Sequence, residues 1–308
     1  MIQYIYLGRV DYAEALRLQE ELVALRQQGR VGNVLLLLEH PPVLTLGRNA
    51  SRANILASDE MLTARGVTLH EINRGGDVTY HGPGQLIGYP IFDLRSLRNP
   101  SGARLGPVDF VRLMEEALIR LSGEFAVGAG RICGLTGVWC GLPSAVADGS
   151  PQPAQPQNSS KGLPPAGRER KIAAIGIHVA RGVTSHGFAF NATTDLGDFR
   201  LINPCGITDR PVTSLAQEVP GLVALPTLEA LAHRAARQFG AVFGQPVEML
   251  ETLDALRSQA QSTPDQETPA QEFPAPEFPA QDTPLQVPPK VERLRQLPRP
   301  VKDRPIPA

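Results

Sequence analysis

The sequence predicts an α/β (α+β) fold, a mixed β-sheet flanked by helices. Three observations carry this reading. β-leaning runs rich in Ile, Val and Leu recur at 2–7, 34–39, 67–72 and 171–179, the composition that suits a pleated, buried surface. Ala15, Leu18, Leu22 and Leu25, and later Phe110, Val111, Met114, Ala117, Leu118 and Leu121, repeat at the spacing that gives a helix one apolar face. The two kinds of segment do not alternate strictly, which argues against a doubly wound parallel sheet.

The elements follow in order. Residues 2–7 read as a strand. Asp11, with Glu14 three residues on, caps a helix reaching about Gln28. Residues 34–39 form a continuous apolar strand, buried on both faces if central, which His40-Pro41-Pro42 ends. Residues 43–46 are a short second strand suited to lining a pocket, 56–61 a helical turn, and 67–72 a strand. Next comes RGGDVTYHGPGQ at 74–85, read as a loop between strands: its glycines and proline exclude a helix and allow close approach to the backbone. Residues 86–92 continue as a strand. Pro107 suits a first helical position, and the helix of Phe110 to Leu121 follows. Residues 127–140 have β character with glycines at both ends. After 171–179, a further strand is expected at 187–192, a loop with Cys205 at 198–210, a short helix at 213–218 and a last amphipathic helix from Leu228 to about Gly240.

Proline distribution divides the 308 residues. Of 29 prolines, twelve stand at or beyond Pro264 and six between 143 and 165. Two segments therefore lack the apolar content to offset their ordering entropy: 142–170, an insertion in a hairpin loop, and 254–308, a Pro-rich low-complexity tail. The catalytic domain is expected at 1–253. Apolar residues make up 42% of the chain, enough for a core, and the net charge of −1 offers no global field for nucleic acid or an anionic membrane. The N-terminus lacks a basic region followed by an apolar run. Three separated cysteines with no C-x-x-C argue against a disulfide framework or a zinc site and suit a reducing cytoplasm.

Candidate chemistry collects at a few positions. Cys205 lies between Pro204 and Gly206, a turn setting that suits an accessible nucleophile; the other reading is a small buried hydrophobe. Cys133 and Cys140 are expected to pack in the core. Lys171 opens an apolar strand. It is either a solvated strand end or an ammonium that stabilises a thiolate. His81 and His186 could bind substrate or serve as acid or base, whereas His40, His70 and His178 are read as structural and His233 as solvated. No P-loop occurs, and the glycine-rich stretch is not followed by a helix, so the dinucleotide fingerprint fails its context.

RGGDVTYHGPGQLIGYPIFDL, GVWCG, KIAAIGIHVARGVTSHGFAFN and DFRLINPCG followed by VTSL, in that order, resemble the lipoyl(octanoyl) transferase family over residues 4–243. The resemblance implies a fold similar to the catalytic domains of biotin and lipoate protein ligases. It implies transfer of an octanoyl group from octanoyl-acyl carrier protein, through an acyl-thioester on Cys205, to a lysine of a lipoyl domain. This would be the first step of endogenous protein lipoylation. The acceptors would be lipoyl domains of 2-oxoacid dehydrogenase complexes and the glycine cleavage H protein, with no cofactor, metal, nucleic acid or membrane. By the same matching Lys171 lowers the Cys205 pKa. The substrate site takes Arg74, Gly75, Gly76, Asp77, Val78, Thr79, Tyr80 and His81, then Ala174, Ile175 and Gly176, then Gly187, Phe188 and Ala189. Arg48 and Arg74 are candidates for docking an acidic carrier. The sequence departs from the family pattern in its insertion, its tail, and Cys140 after Trp139 where an aliphatic residue is expected.

Three rivals remain. An ATP-dependent lipoate or biotin ligase needs no thiol at position 205. A non-catalytic module that docks acyl carrier protein would tolerate loss of Cys205 and Lys171. A thioesterase would use water as the acceptor.

Overall fold

A computed structural model describes residues 1–99, 102–142, 167–203, 210–219 and 225–262. Its eleven described strands are β1 (Ile2–Arg9), β2 (Asn33–Glu39), β3 (Val43–Leu46), β4 (Thr68–Glu71), β5 (Val78–His81), β6 (Gln85–Ile91), β7 (Ala129–Ile132), β8 (Leu135–Cys140), β9 (Arg170–Ala180), β10 (Val183–Asn191) and β11 (Val247–Met249). The described helices are α1 (Tyr12–Gln27), α2 (Asp59–Ala64), α3 (Pro107–Gly123), α4 (Leu215–Glu218), α5 (Leu228–Phe243) and α6 (Leu253–Ser262). Eight strands make one sheet in the order β11-β1-β2-β6-β10-β9-β8-β7, and β4-β3-β5 make a small second one. β1 pairs in parallel with β2 and β11, and the other pairings in the large sheet are antiparallel. The expected mixed sheet flanked by helices is what forms.

β2 explains how the layers are built. Successive side chains of a strand point to opposite faces. Leu35 and Leu37 pack with Phe110 and Leu118 of α3 and Phe239 of α5, while Val34, Leu36 and Leu38 pack with Ala15, Leu18 and Leu22 of α1. All seven residues of β2 are buried, so an unbroken apolar run is what this position requires. Asp11 caps α1 by accepting from Ala13 N–H at 2.9 Å and Glu14 N–H at 3.4 Å, and Pro107 opens α3.

Several expectations need correction. The glycine-rich stretch is not wholly a loop, since it contains β5, paired antiparallel with β3. Four β-competent residues, Val-Thr-Tyr-His, outweigh the flanking glycines once β3 offers an edge. α5 continues past Gly240 to Phe243 and ends on Gly244, whose φ of 61° suits a left-handed cap. Helical structure continues past the boundary expected at 253: α6 begins there and buries Leu256 and Ala260 against the α1 layer. β9 starts at Arg170, inside the expected insertion, because Arg170 pairs with Cys140 of β8 and binds Glu218 at 2.8 Å. The rest of the insertion, 143–166, and the tail from 263 lie outside the described residues. Cys133 is exposed rather than in the core, because it sits at the β7–β8 turn; Cys140 is buried. No described helix is long and apolar enough to cross a membrane.

Candidate active site

β9 and β10 form an antiparallel pair in which Ala174, Ile175 and Gly176 face Ala189, Phe188 and Gly187. These six residues wall a cavity of about 390 Å³, which Lys171, Arg74, Gly75, Gly76, Thr79, His81 and His186 also line. The glycines let the 74–76 segment lie directly on β9. Gly75 N–H donates to Ile177 O at 3.0 Å, and a Cβ on Gly176 would stand 2.8 Å from the Gly75 carbonyl oxygen. A side chain there would push the two backbones apart and open the wall.

Arg74 is buried. Its guanidinium donates to Thr45 O at 2.7 Å, to Thr45 Oγ1 at 2.9 Å and to the Gly75 carbonyl at 3.0 Å. It therefore clamps the glycine segment onto β3, and its burial removes it as a carrier-docking residue; Arg48 is exposed.

The remaining residues of this stretch divide by strand alternation. Thr79 and His81 line the cavity, whereas Val78 and Tyr80 pack into the small-sheet core with Leu44 and Leu62. Tyr80 donates its hydroxyl to Asp198 at 2.6 Å. Asp77 accepts from Ser51 N–H at 3.2 Å and from the Asn54 amide, which ties the glycine turn to the 51–54 segment after β3. These three are outside the lining. Tyr12, Tyr89, Val111, Ile177 and the hairpin tip Gly134, Leu135 and Thr136 are lining residues that sequence reasoning missed. Only the fold brings them to the site, and no local pattern marks them.

The histidines around the cavity are neutral near pH 7. The Asn191 amide donates to the Thr213 carbonyl at 2.9 Å, so its oxygen faces Gln85 and accepts at 2.8 Å. The Gln85 oxygen then accepts from His81 Nδ1–H at 2.8 Å. A backbone carbonyl can only accept, so this chain fixes the proton on Nδ1. Burial, reinforced by His40, pushes His81 down to about 3. His186 bonds Asn73 Oδ1 through Nε2 at 2.7 Å, and burial with the Arg74 charge lowers it to about 4. His40 lies between Val10 O and the Tyr89 hydroxyl, and burial lowers it to about 4 as well. Imidazoles this weakly basic are poor partners for a thiol whose ordinary pKa is about 8.5.

Lys171, the only lysine among the described residues, lies in β9 with its ammonium 4.6 Å from the centroid of the Trp139 ring. Its N–H donates to Pro211 O and its carbonyl accepts from Thr213 N–H, both at 2.9 Å. Cys205 lies outside the described residues. The described chain before it is held by Asn203 N–H donating to Asn54 O at 2.7 Å, and the chain after it resumes at the buried Arg210. Cys140 is no substitute nucleophile, because burial pushes its thiol up to about 12. No group of three or more His, Cys, Asp or Glu side chains placed to hold a metal occurs among the described residues.

Residues 11–240 match the family of the lipoyl protein ligase A/B catalytic domain. Among curated proteins, the chain is 56% identical over 253 residues to an octanoyltransferase of Acidobacterium capsulatum, covering 82% of this chain and 94% of that one. It is 48% identical over 264 residues to an octanoyltransferase of Koribacter versatilis, covering 86% and 93%. Among solved structures it resembles lipoate-protein ligase A bound with ATP, with a TM-score of 0.53, 13% identity and coverage of 85% and 93%. It also resembles a bi-partite lipoate protein ligase from Thermoplasma acidophilum, with a TM-score of 0.54, 14% identity and coverage of 84% and 90%. At these identities the two structures speak to the fold alone.

Proposed function

The chain belongs to the lipoyl protein ligase A/B catalytic-domain family, and from that premise we propose that it is an octanoyltransferase acting in protein lipoylation through a Cys205–Lys171 pair. The observation that carries the proposal is the position of Lys171. It stands in the cavity wall, and its backbone is bonded on both sides to the chain that follows Cys205. Pro211 is six residues beyond Cys205, a short tether at about 3.5 Å per residue. The glycine-lined wall of Ala174, Gly176 and Gly187 suits an unbranched acyl chain lying against backbone.

The reaction runs in two balanced steps. The Cys205 thiolate attacks the thioester carbonyl of octanoyl-acyl carrier protein. A new C–S bond forms, the carrier C–S bond breaks, and the carrier thiolate takes a proton from the Lys171 ammonium. A lysine amine of the lipoyl domain then attacks the acyl-Cys205 carbonyl. The amide C–N bond forms, the Cys205 C–S bond breaks to regenerate the thiolate, and the proton lost by the amine returns to Lys171. An adjacent ammonium supplies the field that holds Cys205 as thiolate at neutral pH. The neutral, weakly basic His81 and His186 leave Lys171 as the group suited to this proton traffic. The acceptors on this reading are lipoyl domains, those of 2-oxoacid dehydrogenases and the glycine cleavage H protein among them, and the setting is the cytoplasm.

Octanoyl-acyl carrier protein incubated with enzyme and an apo lipoyl domain, with and without ATP, tests the proposal. Octanoyl transfer to the domain lysine without ATP, seen by intact mass, is expected. Transfer that requires ATP, or release of free octanoate alone, rules it out in favour of a ligase or a thioesterase.

A further inference from the structure

Lys171 and Trp139 are ladder partners on β9 and β8. The indole is fully buried, its ring face lies under the ammonium at 4.6 Å, and its N–H has no hydrogen-bond partner among the described residues. Leaving an indole N–H unpaired in the interior is costly, so this orientation of the ring calls for a compensating contact. The hairpin around it is built to let the lysine cross. Gly137 adopts a φ of 121°, and a Cβ there would meet the Ala173 carbonyl oxygen at 2.6 Å and the Lys171 Cε at 3.5 Å. Glu115, fully buried in α3, fixes that glycine by accepting its N–H at 3.0 Å. The lysine stem thus passes over a residue without a side chain, and its head rests on the ring two positions on, on the same face of β8.

We propose that Trp139 is a positioning residue for Lys171, its indole face holding the ammonium in place and in its charged form by cation–π attraction. A ring face attracts a cation, most strongly where water is excluded, and it can neither accept nor release a proton. Trp139 would therefore keep Lys171 charged and aimed without competing for the proton that moves in catalysis. A carboxylate in the same place would form an ion pair and screen the ammonium from a thiolate. The charged and titratable groups around the strand are otherwise engaged: Arg170 binds Glu218 at 2.8 Å, and Glu115 binds Arg112 at 2.6 Å and Arg131 at 3.1 Å. Burial keeps Cys140 protonated and His81 neutral. Arg74, which lines the same cavity, donates to the Thr45 and Gly75 carbonyls, and Arg210, next to Pro211 in the chain, is buried.

The functional consequence of this inference rests on the Cys205–Lys171 pairing proposed above, but the contact itself can be tested alone. The full chain has four lysines, at 161, 171, 290 and 302, so lysine-selective ¹³C labelling gives a simple NMR spectrum. The δ and ε methylene protons of one lysine should lie upfield from ring current and vanish in Lys171→Ala. In Trp139→Leu they should return to ordinary positions, and Trp139→Phe should restore part of the shift. The pH profile of Cys205 alkylation, followed by peptide mass spectrometry, should move alkaline by about one pH unit in Trp139→Leu and by less in Trp139→Phe. Should Trp139→Leu fail to fold, the wild-type spectrum decides, and the absence of an upfield lysine overturns the contact. A Trp139→Leu profile equal to wild type, while Lys171→Ala moves it, overturns the positioning role. A profile unmoved by Lys171→Ala sinks the pairing instead, with the contact still decided by the NMR shift.

Discussion

Mild acid should destabilise this fold well before its carboxylates protonate. His40, His81 and His186 are buried and held to about 4, about 3 and about 4, against about 6.5 in an unfolded chain. Because the folded values are depressed, the unfolded state alone takes up these protons as the pH falls. The associated stability is fully present above about pH 6.5 and is lost as the pH drops toward 4. At pH 5 each shift removes RT ln[(1 + 10^1.5)/(1 + 10^−1)], about 2 kcal/mol, so the three together remove about 6 kcal/mol. That is a large part of the 5–15 kcal/mol by which domains are ordinarily stable. Asp93 and Glu218, held below the ordinary range by arginine hydrogen bonds and charges despite burial, and Glu124, held there by hydrogen bonds from Gln238 and Arg234, add their losses only at lower pH and do not confuse this window. Urea unfolding followed by circular dichroism at pH 7.5, 6 and 5 measures the effect. The midpoint should fall steeply between pH 6.5 and 5, with about three protons taken up on unfolding at pH 5. Equal stabilities at pH 7.5 and pH 5, or uptake of less than one proton, would refute the reasoning.

Other outcomes follow from the same geometry. Lys171→Ala should leave a Cys205 thiol that alkylates slowly at neutral pH and recovers as the pH rises toward about 8.5; an unchanged profile contradicts the pair. A chain ending after Gln266 should keep full transfer activity, whereas one ending before Leu253 exposes the α1 layer that Leu256 and Ala260 cover and should lose about 2–3 kcal/mol in urea titrations. Matching stabilities for the two truncations would show that α6 is ornamental. Gly176→Ala, facing the Gly75 carbonyl oxygen at 2.8 Å, should cost about 1–3 kcal/mol and raise KM for the acyl donor; a wild-type KM would mean that the wall yields without consequence.

What could be read from the chain was local. The run of leucines in β2 announces a strand covered on both faces, and the repeats of α1 and α3 announce which side each helix buries. β11 could not be read, because its three residues owe their state to parallel pairing with β1, more than two hundred positions away in the chain. β5 was hidden by the glycines that flank it, and α6 by a composition that shades into the proline-rich tail. At the site, the 174–176 and 187–189 segments were legible as short motifs that a hairpin pairs. The division of 77–81 was not, because it depends on which face of β5 meets the cavity. Tyr12 and Tyr89 were invisible for a related reason. One follows a helix cap and the other sits in a strand buried throughout, and each reaches the cavity only through the packing of α1 on the sheet. The neutral state of the histidines belongs to burial, and the tautomer of His81 to a hydrogen-bond chain ending on the Thr213 carbonyl, neither of which is written in the neighbouring residues.

The proposed acyl transfer passes through Cys205. Enzyme mixed with octanoyl-acyl carrier protein and no acceptor, then quenched in acid, should carry one octanoyl group by intact mass. Peptide mapping should place it on Cys205, and adding an apo lipoyl domain should discharge it within a turnover. Cys205→Ala should show neither the adduct nor transfer. An adduct elsewhere, or transfer that persists in Cys205→Ala, would contradict the account.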